Sequence, residues 1–318
     1  MKKILSVLLA LALVLSLTAC AGGSTTMTMG TGGTAGTYYA FGGILGNQIK
    51  TSTGITVNVV STDGSKANIL GIEAGNYQLG TVQSDVMAYA AAGTRSFEKE
   101  GALDSFRVIG GLYAEAVQLV TMDANIKSVA DLKGKKVSIG AAGSGVYFNA
   151  IDILGAAGLT EADIVPQYQS FANSADALKD GKIDAAFIVA GAPTPAIQEL
   201  TTASSAYLVP IDGDIATKLM QDSPYYTTYK IPAGTYNGQT ADVTTVTVKA
   251  TLIVSTSASE EDVYNITKAI FDNVATITAA HAKGAELSLE NATEGMTAPF
   301  HAGAAKYFAE KNITVETK

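Results

Sequence analysis

Tryptophan is absent from the 318 residues, cysteine occurs once, and histidine and arginine occur twice each. A single cysteine cannot close a disulfide within the chain. Neither it nor the distant pair His281 and His301 has the ligand spacing of a metal site. No G-x-S-x-G, H-E-x-x-H or Walker sequence occurs, and no Ser or Cys nucleophile motif lies near the histidines. The common catalytic signatures are therefore missing, no cofactor site is read, and His281 is taken as a solvated residue on its helix. Charged side chains make up only 16% of the chain, and the net charge of −8 disfavours nucleic acid and anionic lipid as partners. The two arginines bear on how a carboxylate could be held. Arg95 lies in the charged stretch Arg95 to Glu100 and Arg107 opens a strand, where a structural role is expected, so a bidentate guanidinium fork is not evident.

Long hydrophobic runs are equally scarce. Met1-Lys-Lys followed by the apolar Ile4 to Leu17 has the length and flanks of a signal peptide and falls short of a membrane span. Residues 1–19 are expected to be removed on export. Leu17-Thr18-Ala19-Cys20 resembles the lipobox of bacterial lipoproteins, whose cysteine receives the lipid. Cys20 is thus the expected lipidation site, anchoring the protein on the extracytoplasmic side of the cell membrane, with the small and polar residues 20–27 as a tether. The remaining chain is too apolar to be disordered and long enough for two domains.

Glycine, by contrast, is plentiful, and it concentrates in Met29 to Gly46, MGTGGTAGTYYAFGG and its continuation. This stretch reads as a strand end, a tight glycine turn and a helix start. The glycines are expected to supply φ > 0 and a close backbone approach, and the first helical N–H groups to offer an anion site. Gly30 to Ala35 also fits a loose G-x-G-x-x-A dinucleotide pattern, but Ile55 to Val60 lacks the acidic residue expected about 20 positions on, which makes a nucleotide the weaker reading.

The following residues repeat a strand, loop, helix pattern. Thr56 to Val60 is a strand leading to the helix Ser65 to Ala74, and Tyr77 to Val82 is a strand leading through Gln83-Ser84-Asp85 to the helix Val86 to Ala92. Such alternation implies an α/β fold with parallel strands, and ligands then collect at the carboxyl ends of those strands. Phe106 to Tyr113 and Ala116 to Thr121 read as two further strands. A second αβ unit begins at Lys136, where Ala141-Ala-Gly-Ser-Gly145 turns into the helix Val146 to Ala157 as the opening stretch does. The strand Ala185 to Val189 leads into Ala190-Gly-Ala-Pro-Thr-Pro195, where two prolines fix the loop. Tyr225 to Gln239 reads as a surface segment or lid, Val243 to Ser255 as a strand long enough to cross between domains, and Glu260 to Ala280 as one amphipathic helix.

The motifs GTGGTAGTYYAFGG, STDGSKAN, QSDV, LYAEAVQLV, GAAGSGVYFNA, GAPTPAI, PAGTYNGQ and FHAGAAKYF occur in this order between Met29 and about Phe308. In that order they resemble the TAXI type of solute-binding protein of tripartite ATP-independent periplasmic (TRAP) transporters. Two positions depart from the family pattern: Ala114 stands where proline is usual, and Val146-Tyr-Phe replaces the usual continuation after GSG. The resemblance implies a two-lobed periplasmic-binding fold of type II with two parallel or mixed sheets and a hinge. One lobe would comprise 28–116 with 255–318, the other 117–254. It implies capture of a small organic anion, a glutamate-like amino acid or a dicarboxylate, by a monomer that delivers it to TRAP membrane subunits.

The candidate ligand-binding residues are Gly33, Thr34, Thr37, Tyr38, Ser65, Asn68, Gln83, Asp85, Ser144, Gly145, Tyr147, Gly191 and Pro193. Backbone N–H groups and hydroxyls would hold the carboxylate, and Asp85 would favour an α-ammonium. Several positions have plainer readings: Asp85 can be a helix cap, Asn68 and Asn149 can be structural, and only one of the adjacent Tyr38 and Tyr39 can face a pocket. A surface adhesin or sensor lipoprotein would share the anchor, and an exported enzyme is the remaining alternative. A transport protein should be encoded beside a large multi-span permease.

Overall fold

The computed structural model describes residues 25–317. The export signal and Cys20 lie outside the described residues. Three parallel strands, β1 (Thr26–Gly30), β2 (Thr56–Val60) and β3 (Leu79–Gln83), form one end of the sheet in the order β2-β1-β3. Each is followed by a helix: α1 (Thr37–Thr53), α2 (Ser65–Glu73) and α3 (Ser84–Ala92). This is the predicted α/β alternation. Next comes β4 (Phe106–Thr121), a single strand of 16 residues where two were expected, because Ala114-Glu115 interrupts the apolar run without interrupting the ladder.

The second αβ unit contains β5 (Lys136–Ser138), α4 (Val146–Ala156), β6 (Val165–Gln167), α5 (Phe171–Lys179), β7 (Ala185–Ala190), α6 (Pro195–Ala203) and β8 (Tyr207–Val209). A helix not read from the sequence, α7 (Gly213–Asp222), follows, with Ala216 and Leu219 buried. The expected lid is in part an edge strand, β9 (Thr227–Ile231), which pairs antiparallel with β10 (Val243–Ser255). Glu260 to Ala280 forms two helices, α8 (Glu260–Phe271) and α9 (Val274–Ala280), broken at Asp272-Asn273. The chain ends with α10 (Leu289–Thr293) and α11 (Ala302–Glu310).

The two expected sheets are joined into one mixed sheet, β2-β1-β3-β10-β4-β7-β5-β6, because β4 and β10 run antiparallel through its middle. The residues of β10 from Ala250 onward pair with β3, while Ala116 to Thr121 of β4 pairs with β7. The apolar cores divide accordingly. One gathers Met29, Phe41, Ile69, Val108, Ile253, Ile270 and Phe308, and two others gather Leu119, Ile153 and Phe187, and Val120, Ile188 and Leu200. His281 is half-buried, with its ring edge-on to Phe41 at 5.5 Å, and is not a solvated face residue.

Asn68 ties the first three strand ends together. Its Nδ2 donates to the carbonyls of Thr31 (2.6 Å) and Thr81 (2.8 Å), and its Oδ1 accepts from Thr62 Oγ1 (2.7 Å). The side chain is fully buried and its hydrogen bonds go to the scaffold. Replacing Asn68 by Ala removes a donor from the Thr81 carbonyl and one of two from the Thr31 carbonyl, which keeps the Thr62 hydroxyl, and should cost about 2 kcal/mol. Urea denaturation checks this, and a loss under 1 kcal/mol would contradict the role given to Asn68.

Candidate solute-binding site

The strand ends β1, β2 and β3 face those of β5, β6 and β7 across a cavity of about 480 Å³. On one side it is lined by residues 32–38, by Ser61 to Ser65 and by Gln83. On the other it is lined by Ala141, Ser144 to Val146, Gln169 to Ala172, Val189 and Ala190, and Glu115 comes from the crossing strand β4. Parallel strands deliver their following helix starts to one edge, which is why these loops converge.

Helices α1, α2 and α4 start at Gly36, Gly64 and Gly145, and none of the three N-termini has a side-chain cap. Apart from the Ala67 N–H, which donates to Gly143 O, their first N–H groups, reinforced by the helix dipoles, are available to an anion from both sides of the cavity. Gly64 adopts φ 105°, which a side chain would strain. The glycines of residues 30–36 do not use positive φ as expected. Their value is close approach: a Cβ on Gly30 would lie 2.5 Å from Asn68 Oδ1. The tightest case is Gly145, whose added Cβ would stand 1.5 Å from Gln83 Oε1. The two halves touch around the cavity, through Ala67 N–H to Gly143 O (3.3 Å), Ala196 N–H to Ala35 O (3.1 Å) and Arg95 to Asp152 (2.6 Å).

Of the predicted residues, Gly33, Thr34, Thr37, Tyr38, Ser65, Gln83, Ser144 and Gly145 line this cavity. Their hydroxyls are not equally free. Thr37 donates to Gly191 O (2.7 Å), Ser144 to Ala141 O (2.7 Å) and Tyr38 to Glu115 Oε2 (2.9 Å). Ser65 Oγ accepts from the Gln83 N–H (3.1 Å) and keeps its own hydrogen for a neighbour. Asn68, Asp85, Tyr147, Gly191 and Pro193 are outside the lining. The Tyr147 hydroxyl turns away to Glu161 (2.8 Å), Gly191 serves Thr37 through its carbonyl, and Pro193 follows a cis peptide in the loop after β7. Asp85 is buried behind Gln83. Its Oδ2 accepts from Asn149 Nδ2 (2.9 Å), whose Oδ1 accepts from Gln83 Nε2 (2.9 Å), and it stands in the first turn of α3, where the Val86 N–H favours its carboxylate.

Sequence reasoning missed Glu115, which is 1% exposed and faces the cavity. An acidic residue alone in a run of strand apolar residues is the signal that could have found it. Burial is the main reason its carboxyl is pushed up to about 8, against the lowering effect of Tyr38. Burial likewise pushes Asp85 up to about 6. No Lys, Arg or His lines the cavity. Arg95 pairs with Asp152 and Arg107 with Asp104. Among the described residues there is no cluster of three or more His, Cys, Asp or Glu that could hold a metal, and no helix is long and apolar enough to cross a membrane.

Residues 29–311 match the NMT1-like family. The chain belongs to that family. The fold is also that of periplasmic binding proteins. The alkanesulfonate-binding protein SsuA from Xanthomonas axonopodis, bound to MOPS, is 17% identical with a TM-score of 0.52 over 92% of each chain. A protein from Bordetella bronchiseptica is 16% identical with a TM-score of 0.54 over 90% of this chain and 89% of its own. The ligand-binding component of an ABC-type import system from Staphylococcus aureus, solved with zinc, is 9% identical with a TM-score of 0.51 over 83% and 81%.

Both buried carboxyls hold their protons more tightly in the folded chain than in the unfolded one. They favour folding below their ordinary range, and that contribution is lost as pH rises through about 6 for Asp85 and about 8 for Glu115. The melting temperature of the solute-free protein should fall between pH 6 and 8, and E115Q should flatten that fall. An unchanged slope in E115Q would contradict the assignment.

Proposed function

We propose that this family member is an extracytoplasmic solute-binding protein that captures a small organic anion, a glutamate-like amino acid or a dicarboxylate, between two lobes. The observation that carries the reading is the meeting of three uncapped helix starts, two from one side and one from the other, at one cavity with no basic side chain. Such a site neutralises a carboxylate by backbone dipoles at fixed positions, and a solute bridging both sides stabilises the closed form. The lobes are assigned as 28–116 with 255–318, and 117–254, with β4 and β10 as the paired hinge. Delivery to TRAP membrane subunits and anchoring through Cys20 rest on the ordered motifs and on the lipobox. The role is one of binding, with no reaction assigned to the cavity.

A thermal-shift screen of organic acids and amino acids tests the reading. A hit should bind R107A as it binds the parent, and S65A about tenfold more weakly, the worth of one hydrogen bond to a charged group. In G145A the added methyl group meets Gln83 and should hold the lobes apart, so the hit binds weakly and small-angle scattering shows no compaction. A hit that loses all binding in folded R107A, or that binds G145A with full affinity, would sink the backbone-dipole site.

A further inference from the structure

Glu115 lies on β4 between Tyr113 of the first core and Ala116 and Val117 of the other two, with Val248 of β10 as its ladder partner. Its Oε2 accepts from the Tyr38 phenol, and the Gln83 amide, which also donates to Asn149, is its second hydrogen-bonding neighbour. Two neutral donors are a thin supply for a carboxylate buried this deeply. The charged and titratable groups around it are Tyr38 on α1, Tyr113 on its own strand, Asp85 on α3 and Lys283 in the short segment Ala282–Glu286. Lys283 is itself buried and ion-paired to Glu286 at 2.5 Å; its charge favours the Glu115 carboxylate, but less than burial disfavours it. Asp63, exposed at the rim, adds a second acid to the cavity wall. Glu115 lies beside the helix starts, since the Tyr38 phenol it accepts from belongs to the first turn of α1, so a carboxylate and an ammonium can be received close together, as an α-amino acid carries them.

We infer that Glu115 is the residue that selects the solute, by pairing with an ammonium group on it, and that the pairing expels the proton Glu115 carries in the empty cavity. This inference rests on the solute-binding reading above. The step breaks the Glu115 O–H bond, passes the proton to bulk solvent and leaves a carboxylate against the ammonium, with no change of oxidation state. An acid without the ammonium leaves Glu115 no cation to pair with, so it displaces no proton and forgoes that pairing energy. Burial holds the empty-state Glu115 carboxyl at about 8, so protons should be released when the solute binds at pH 7. Affinity should rise by close to tenfold from pH 6 to pH 7 and level off above pH 8.

The experiment is titration calorimetry of the mature chain against a panel of amino acids, each paired with the same acid lacking the amino group, such as L-glutamate and glutarate. Each titration is run at pH 7 in phosphate and in Tris, so that the difference in buffer ionisation heat counts released protons. The tightest-binding amino acid should bind at least tenfold more tightly than its deaminated partner and release protons. E115Q, checked for folding by its melting curve, should lose both the preference and the release. The inference fails if the deaminated acids bind as tightly with no proton released, an outcome that leaves the solute-binding reading intact. It also fails if folded E115Q keeps the preference. If no panel member binds even at millimolar concentration, the solute-binding reading falls and this inference with it.

Discussion

The ladder between β4 and β10 is the constraint on which the other features depend. It runs from the first core into the residues that carry the other two, from Phe106 opposite Ser255 to Ala116 opposite Thr247. Each strand then recruits its neighbours separately, β3 on one side and β7 on the other, so the two halves are separate packing units joined by two extended segments. Such a joint leaves the carboxyl ends of two sets of parallel strands facing one another. The cavity is what lies between them, and the crossing strand has to pass along its floor. A polar side chain at the crossing point, Glu115, is consequently in the cavity wall and on the strand that joins the two halves.

The electrostatics follow from that placement. Backbone dipoles need no counter-charge of their own and cannot be lost by titration, so a cavity built on helix starts can hold a carboxylate with no arginine or lysine in its wall. The scarcity of arginine in the chain and the commitment of both arginines to aspartates are consistent with this division of labour. Closeness is the complementary demand. The helix starts can face one solute only if the halves approach within hydrogen-bond distance, and Gly143 and Gly145 make that possible, since a Cβ on either would strike Asp63 or Gln83.

Much of this was legible in the sequence because local pattern and tertiary placement agree. The strand, loop, helix alternation set the parallel strands, and the small-residue stretches at 30–36 and 141–145 marked the loops at their ends. Sequence could not show what a side chain does with its hydrogen. Thr37 and Ser144 have the right chemistry and position, yet their protons serve backbone carbonyls. Asn68 and Asp85 have ligand-like chemistry and are spent inside the scaffold, because strand ends that close on one another bring buried carbonyls and amides that must be satisfied. Glu115 escaped notice for the opposite reason: a lone acid within an apolar strand looks like a strand break until the ladder is seen to continue through it. The edge strand β9 was hidden by the prolines and glycines that follow it, and α7 by its mostly polar face.

The central claim is that a single solute is held at once by helix starts from both halves. Amide proton and nitrogen chemical shifts of the labelled protein, recorded with and without a bound organic acid or amino acid, test it most directly. The account predicts that the largest changes fall together on Thr37, Tyr38, Ser65 and Val146, the residues at the starts of α1, α2 and α4. Changes confined to one half, or centred on the groove formed by residues 293–300 and 314–316 at the far C-terminal side, would contradict it.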